Sequence, residues 1–290
     1  MARKNEIPLL KNKDLLPFTA HVPHLNMEAV AAAILKVDHD APALAQFEFE
    51  EVKRMVWAAA EKWFDRDMRE FELTGIEKRV DRPDGKGFLD VVGRMRGRMK
   101  PFDAFAGQTF IIDWKTSKNA LDAAWKDRLL DSWQWRMYAE WEQARVFIYR
   151  GVSRGTDIET REVILAVGDT NGQEVYEYLA GTEAARRALI EARLPVWPRH
   201  MPSACLQYGL DHECEFFAEC LQYSMPQKTI TPGVLSYTAA ERFWRCPELY
   251  RRGVLSPEKM GSSSSEIGEA FHRGMAELYR QGIERQKEME

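Results

Sequence analysis

Long apolar runs are missing from this 290-residue sequence, and its opening residues do not predict a secretory signal. No window approaches the roughly 18 consecutive apolar residues that a membrane span requires. The opening residues, Met-Ala-Arg-Lys-Asn-Glu, are charged and do not lead into an apolar segment with a small-residue cleavage site, as a secretory signal would. These absences predict a protein with no membrane partner, and we expect it in the cytoplasm.

A strong charge of either sign is also missing, since 41 basic residues face 45 acidic ones and the net charge is −4. Evenly spread charge of this kind would argue against a nucleic-acid partner, but local patterning matters more than the total. Basic residues concentrate between Lys78 and Lys100, where eight Lys and Arg face three Asp. Such a stretch is typical either of a solvated hairpin or of a surface that binds nucleic acid.

Cysteine is scarce, and no C-x-x-C pair occurs. Disulfides are rare in the cytoplasm, so the four cysteines are better explained as free thiols or metal ligands. Cys205, Cys214 and Cys220 lie in a short proline-bounded segment, and Cys246 follows a helical stretch. Four thiolates would suit zinc or an iron–sulfur cluster, whereas buried cysteines without a ligand are the alternative.

The periodicity of the apolar residues predicts an α/β fold. Spacings of three and four residues predict helices, and alternation predicts strands joined by hairpins. The predicted helices are Met27–Lys36, Phe47–Phe64, Leu121–Gln143, Gln173–Leu194, Tyr237–Arg245 and a segment from Glu266 onward. The predicted strands are Leu73–Val80, Gly87–Met99, Thr109–Lys115, Val146–Gly151 and Ile158–Val167. We expect residues 1–200 to form a core and residues 201–290 a helical, Cys-containing module that packs back on it.

Acidic side chains interrupt two of the predicted strands, although strands generally disfavour aspartate. Asp90 ends Gly87-Phe-Leu-Asp90, and Asp113 and Lys115 lie two residues apart in the next strand. Alternate residues share a strand face, so Asp113 and Lys115 project to the same side, and pairing with the previous strand can bring Asp90 close to them. Carboxylate oxygens are hard ligands suited to Mg²⁺ or Mn²⁺, which activate water and bind phosphate oxygens.

An ordinary ion pair between Asp113 and Lys115, with Asp90 capping a turn, would explain the same residues without any metal. The following helix favours a site, because Gln134 and Tyr138 are four residues apart and therefore lie on one helix face. That face directly follows the strand of Asp113 and Lys115, where it can hold a substrate strand beside a metal.

These motifs together resemble G-x-x-D, D-x-K and Q-x-x-x-Y of the PD-(D/E)XK nuclease superfamily, in its RecB-like exonuclease branch. The resemblance implies a restriction-endonuclease-like core, with a central mixed β-sheet flanked by helices, that hydrolyses DNA phosphodiester bonds with Mg²⁺ or Mn²⁺. It implies that Asp90 and Asp113 are metal ligands and that Lys115 is the catalytic lysine. Gln134 and Tyr138 would contact DNA or steady the site.

The order of the remaining motifs departs from this family. Members with a 4Fe-4S cluster place three cysteines after the core and one well before it, whereas here Cys246 comes last. The segment 235–250 resembles the opening of such a nuclease, and Gly268-Glu-Ala-Phe-His272 resembles its G-x-x-x-H motif, which normally precedes G-x-x-D. Circular permutation, a second nuclease domain cut short at residue 290, and chance likeness would each explain this order.

We favour permutation, because the pieces missing from the core are those found at the far end and chain termini often lie close together. His272 would then join Asp90 and Asp113 at the metal, and Cys246 would complete a 4Fe-4S cluster, with zinc as the alternative. Without permutation, His272 is a helix-surface residue beside Glu269 and Arg273.

The resemblance therefore implies a metal-dependent DNA nuclease, an exonuclease or end-processing enzyme of DNA repair or recombination. Its partners would be single- or double-stranded DNA and a helicase or recombination protein, and a homo-oligomer such as a swapped dimer is compatible with the sequence. Two other functions stay open: a non-catalytic DNA-binding or adaptor protein that retains the fold, and an interaction protein stabilised by zinc.

Overall fold

A computed structural model describes residues 26–35, 46–82, 85–100, 102–168, 172–192, 237–255 and 263–289. The strands within these ranges are β1 Phe71–Arg82, β2 Gly85–Met95, β3 Thr109–Ser117, β4 Val146–Ser153 and β5 Thr160–Ala166. The helices are α1 Met27–Leu35, α2 Gln46–Ala59, α3 Asp65–Glu70, α4 Ala123–Asp131, α5 Trp133–Glu142, α6 Gly172–Glu191, α7 Tyr237–Arg245, α8 Pro247–Leu255 and α9 Ser263–Met289. A π-helical turn, Ala60–Phe64, joins α2 to α3, and a 3₁₀ turn covers Phe102–Phe105.

The five strands form one mixed sheet in the order β1-β2-β3-β4-β5. β2 and β3 are antiparallel, β3 and β4 are parallel, and β4 and β5 are antiparallel. A parallel pair requires a crossover connection, which α4 and α5 supply between β3 and β4. The α/β class and a central mixed sheet flanked by helices, both expected from the sequence, are confirmed.

One face of β3 packs into the main hydrophobic core. Phe110, Ile112 and Trp114 alternate along the strand and are buried in a cluster that also contains Trp63 from the π-helical turn and Phe271 from α9. Helices α1 and α2 contribute further apolar side chains to the same cluster. This face of the sheet is therefore covered by the N-terminal helices and by the late helix α9.

The other face of β3 carries the polar residues Asp113 and Lys115 and is covered by the crossover. Helix α5 contacts both β3 and β4, and Trp125 of α4 and Met137 of α5 are buried. A methyl group added to Gly151, the residue opposite Lys115 in β4, would lie only 2.5 Å from Trp125. Glycine at this position therefore lets the indole ring lie directly on the strand beside Lys115.

Each predicted strand is present, with ends shifted by a few residues. The largest shift is in β2, for which the sequence pattern predicts an end at Met99 and the structure has Met95. Gly97 follows with a φ of 67°, a left-handed conformation that a strand does not continue through. The chain turns there because the Arg96 N–H donates to the Glu70 carbonyl, 2.7 Å away.

Two helical predictions were wrong in detail. The segment predicted as one helix, Leu121–Gln143, is two helices separated at Ser132, whose backbone is extended. Helix α8, which begins at Pro247, was not predicted. Proline suits the first turn of a helix, since the amide hydrogen that it lacks has no intrahelical partner there.

The chain divides into two compact units. The first holds the described residues up to 78, those from 88 to 168 and those from 264 to 289; the second holds those from 79 to 87, 172 to 192 and 237 to 263. Residues 264–289, which the sequence placed in the segment 201–290, thus belong to the same unit as strands β3 to β5. No helix in the described part of the chain is long and apolar enough to cross a membrane.

Candidate active site

Asp90 is tied directly to the strand that carries Asp113 and Lys115. Val91 of β2 pairs with Ile112 of β3, so Asp90 lies beside the next residues of that strand. The Trp114 backbone N–H donates a hydrogen bond to Asp90 Oδ2 at 2.7 Å. The pairing of the two strands therefore places Asp90 beside Asp113, as the sequence predicted.

Asp113, Lys115 and Gln134 form a closed triangle of polar contacts. Lys115 Nζ lies 2.7 Å from Asp113 Oδ2 and donates to Gln134 Oε1 at 2.8 Å. Gln134 Nε2 donates to Asp113 Oδ1 at 2.9 Å. The carboxamide thus contacts both charged partners, each through the atom of the correct hydrogen-bonding type.

The local fold places Gln134 at the start of α5. Ser132 caps this helix, because its hydroxyl oxygen accepts the Gln134 N–H at 3.2 Å. Four residues later on the same face, Tyr138 is buried next to Asp113. Burial, with a smaller contribution from the Asp113 carboxylate, raises the pKa of Tyr138 to about 12, so its hydroxyl remains protonated at neutral pH.

His272 reaches the same place from α9, 182 residues beyond Asp90. Its Nδ1 atom lies 3.0 Å from Asp90 Oδ1. One turn earlier, Gly268 faces β3 closely enough that an added methyl group would lie 3.2 Å from Thr116 Oγ1. The glycine and histidine of Gly268-Glu-Ala-Phe-His272 thus have separate roles: Gly268 allows close approach of the helix, and His272 contacts the carboxylate.

The surroundings of Asp90 and Asp113 shift the pKa values of these two carboxyl groups in opposite directions. Burial alone would raise the pKa of Asp90, but His272 and the Trp114 N–H outweigh it, so that this pKa is lowered. Burial and the nearby Asp90 carboxylate raise the pKa of Asp113 to about 6 despite the adjacent Lys115 ammonium. Burial disfavours a charged imidazole, yet Asp90 raises the pKa of His272. Divergent pKa values of neighbouring groups are typical of functional sites.

The donor set suits a hard divalent cation, although the side chains do not form a preassembled metal cage. Across the described ranges, no three His, Cys, Asp or Glu side chains lie together as a group that could hold a metal ion. His272 and Asp90 contact each other, and Lys115 lies against Asp113. Asp113 Oδ2 is buried and has the Lys115 ammonium as a close partner at 2.7 Å, so a cation bound by this oxygen would share it with Lys115.

The cysteine cluster is not tested by the structure. Cys205, Cys214 and Cys220 lie outside the described residues, so the iron–sulfur or zinc site stays a prediction. Cys246 is a buried free thiol at the end of α7. The Cys246 N–H donates to the Arg242 carbonyl, and the Cys246 carbonyl accepts from the Tyr250 N–H.

A buried group of charged residues near the site was missed by sequence reasoning. Arg150 is fully buried in β4, on the opposite face of the sheet from Asp113 and Lys115. The sequence did carry a sign of it, because Arg150 directly follows the apolar run Val146–Tyr149 within a predicted strand. A buried charge of this kind requires partners, and those partners could have been sought among the remaining acidic residues.

No protein-family model matches the chain, and no curated protein matches it either.

Proposed function

We propose that this chain is a metal-dependent DNA nuclease with a restriction-endonuclease-like, RecB-like core. The proposal rests on five side chains that form one connected set of contacts: Asp90, Asp113, Lys115, Gln134 and His272. They come from β2, β3 and α5 and, much later in the chain, from α9. An incidental ion pair between Asp113 and Lys115 would not require a glutamine that contacts both partners or a histidine from α9.

Mg²⁺ or Mn²⁺ held by Asp90, Asp113 and His272 would supply a Lewis acid for the scissile phosphate and lower the pKa of bound water. Carboxylate and imidazole donors both suit these ions. The elevated pKa of Asp113 means that its charged form is held in an unfavourable environment, which a bound cation would relieve. Metal binding would therefore release protons from this site as the pH falls toward 6.

Lys115 is the residue that we assign to transition-state stabilisation. Its side chain is 30% exposed while its ammonium group contacts the nearly buried Asp113, so Lys115 can face both carboxylate and substrate. A fixed positive charge beside a phosphate offsets the negative charge that develops during hydrolysis. Gln134 acts as the positioning residue, because its carboxamide fixes Lys115 relative to Asp113.

The arrangement supports a permuted site completed within one chain. His272 and the sheet residues belong to the same compact unit, which favours permutation over a second, incomplete nuclease domain or a chance likeness. Exposed basic side chains at Arg94, Arg98 and Lys100 in this unit would contact DNA phosphates, and salt would weaken that binding. The 4Fe-4S or zinc site and a helicase or recombination partner rest on the family resemblance alone.

The proposal is tested by incubating end-labelled single- and double-stranded DNA with the full chain and Mg²⁺ or Mn²⁺. Lys115→Ala should reduce cleavage about 100-fold or more, since loss of one transition-state donor typically costs this much. His272→Ala should also reduce cleavage, because it removes one of the three proposed metal ligands. Lys53→Ala is the matched control. Lys53 lies on α2 in a surface ion pair with Glu50, and its removal should leave cleavage unchanged.

Two results would point elsewhere. If the wild type and Lys115→Ala both fail to cleave any substrate but shift it in a gel, the chain is a non-catalytic DNA-binding module. If neither cleavage nor DNA binding occurs and the protein is colourless with stoichiometric zinc, the zinc-stabilised interaction protein takes its place. Visible absorbance of the same preparation would identify an iron–sulfur cluster.

A further inference from the structure

Behind the candidate active site lies a buried cluster of charged and polar side chains, which we call the Arg150 cluster. Its members are Arg66, Asp67, Arg150, Glu162 and Tyr279. They come from α3, β4, β5 and α9. Two arginines balance two carboxylates, so the cluster is electrically neutral, as buried charges require.

Arg150 is the centre of this cluster. Its Nη2 donates to Asp67 Oδ1 at 2.7 Å, its Nε donates to Glu162 Oε2 at 2.9 Å, and its Nη1 donates to the Tyr279 hydroxyl at 2.9 Å. The guanidinium also lies over Trp63 and Trp114, 5.0 and 5.2 Å from the ring centroids. Every donor nitrogen of the guanidinium therefore has a partner, and its flat faces lie against aromatic rings.

Tyr279 connects the Arg150 cluster to the helix that carries His272. Its hydroxyl accepts from Arg150 and donates to Asp67 Oδ2. Tyr279 and His272 are seven residues apart on α9, which places them on nearly the same helix face and roughly 10 Å apart along the axis. The hydroxyl thus forms a buried, directional contact of α9 two turns beyond the histidine.

Trp114 links the two ends of this arrangement. Its backbone N–H holds Asp90, while its ring packs at 5.8 Å from Phe271 and 6.2 Å from Tyr279. The side chains that α9 adds to the hydrophobic core are apolar. Its remaining polar contacts at exposed or partly buried positions include Arg280 with Glu77, Gln281 with Asn26 and Gln286 with the Met68 carbonyl, whereas the hydrogen bonds of Tyr279 are fully buried. Apolar packing is non-directional, whereas a fully buried hydroxyl that both accepts and donates a hydrogen bond tolerates little displacement, so Tyr279 restricts the axial position of α9.

We infer that Tyr279 is a positioning residue that sets the axial register of α9 and thereby holds His272 against Asp90. The inference rests on the proposed function, because its effect is measured on the divalent cation that His272 would help to bind. Tyr279 acts through the Arg150 cluster and touches neither Asp90 nor Asp113.

The test is a double-substitution cycle on metal binding, with Mn²⁺ alone titrated calorimetrically into the metal-free full chain. Tyr279→Phe removes only the hydroxyl and leaves the Arg150–Asp67 pair, so the protein should remain folded. We expect its affinity for Mn²⁺ to fall about 10-fold, comparable with the loss of other groups that orient metal ligands. In a His272→Ala background, the same change should alter the affinity less than about 2-fold.

Tyr250→Phe is the matched control, since Tyr250 is a buried tyrosine whose hydroxyl lies 3.4 Å from buried Arg186 in the other compact unit. It should leave Mn²⁺ affinity unchanged. A second measurement needs no metal: the ring NMR signals of His272, assigned by their loss in His272→Ala, should shift or broaden in Tyr279→Phe but not in Tyr250→Phe.

The outcomes separate the two proposals. If wild type binds Mn²⁺ and Tyr279→Phe binds equally well with unchanged His272 signals, the positioning role is wrong while the nuclease proposal stands. If Tyr279→Phe weakens Mn²⁺ binding equally with and without His272, its effect is a general structural one, and the positioning role is also wrong. If His272→Ala abolishes measurable binding, the NMR comparison decides. A wild type that binds no Mn²⁺ would overturn the proposed function and this inference with it.

Discussion

Glu162 shows how a single carboxyl group couples the buried charges to pH. Burial alone would raise the pKa of Glu162, but Arg66 and Arg150 outweigh it and lower the pKa to about 2. A carboxyl group whose folded pKa is depressed contributes stability above its unfolded pKa of about 4.5, and this stability is lost as the pH falls toward 2. The Arg150 cluster is therefore a source of acid sensitivity.

We predict that Glu162→Gln is less stable than the wild type by about 3 kcal/mol at pH 7, the free energy that corresponds to this pKa change. The difference should shrink between pH 4.5 and pH 2, because the wild-type carboxyl group becomes neutral there. Urea unfolding at several pH values measures it. Glu159→Gln, at an exposed position just before β5, should keep the wild-type pH dependence.

A constant difference between Glu162→Gln and the wild type down to pH 2 would contradict the ionic account of this residue. It would mean that the glutamine disturbs packing and that the charge of Glu162 contributes little.

Single residues also show what the sequence could and could not predict. Asp90, Asp113 and Lys115 stood out because strands rarely carry such side chains, and strand alternation alone is enough to place Asp113 and Lys115 on one face. Arg150 follows the same logic but was overlooked. Its partners come from segments up to 129 residues away, a pairing that no local period encodes.

At the scale of elements, the break between α4 and α5 determines where Gln134 lies. Two helices begin here with side-chain caps of the same kind. Asp122 Oδ1 accepts the Trp125 N–H at 2.8 Å at the start of α4, and the Ser132 hydroxyl accepts the Gln134 N–H at the start of α5. Only the second cap holds a residue of the candidate site.

We predict that Ser132→Ala and Asp122→Ala each cost about 1 kcal/mol of stability, the usual loss for a helix cap. Ser132→Ala alone should also weaken DNA cleavage, because Gln134 would no longer be held against Asp113 and Lys115. Thermal unfolding and cleavage rates of both variants check this pair. A cleavage loss of equal size in Asp122→Ala would show that stability, and not the position of Gln134, controls the rate.

The same break shows the limit of sequence periodicity. The helical period continues across residues 121–143, so the pattern predicted one helix. Ser132, where the helix breaks, has an extended backbone in the structure. A serine can also lie inside a helix, so its presence in the sequence does not by itself predict a break. By contrast, the boundaries of α7 were predicted at Tyr237 and Arg245, as the structure has them. Helix ends depend on capping residues and on where the chain changes direction. The spacing of apolar residues contains information about neither.

At the scale of the whole molecule, helix α9 completes a unit whose other members come from the first 168 residues. The Asn26 N–H donates to Gln281 Oε1 at 2.9 Å, so the beginning of α1 lies beside the second half of α9. A direct link between α9 and α1 is therefore compatible with the positions of both helices.

We predict that a permuted chain, with residues 256–290 placed before residue 1 by joining 290 to 1, keeps the fold and the cleavage activity. Its thermal midpoint should lie within a few degrees of the wild type. The control is a chain opened between Asn119 and Ala120, which separates β3 from the helices of its crossover and should unfold at lower temperature. Equal damage to both chains would mean that the connection before α9 is required in its natural place.

The separation of Asp90 and His272 along the chain also sets how long after Asp90 the ribosome adds His272. At translation rates of about 5 to 20 residues per second, the 182 residues that separate them take roughly 10 to 40 seconds to synthesise. Once Lys115 has been made, the growing chain holds both carboxylates and this lysine but still lacks the His272 imidazole. A chain that stalls before residue 272 would thus lack one of the three proposed metal ligands, and the candidate site is complete only after its last component has been made.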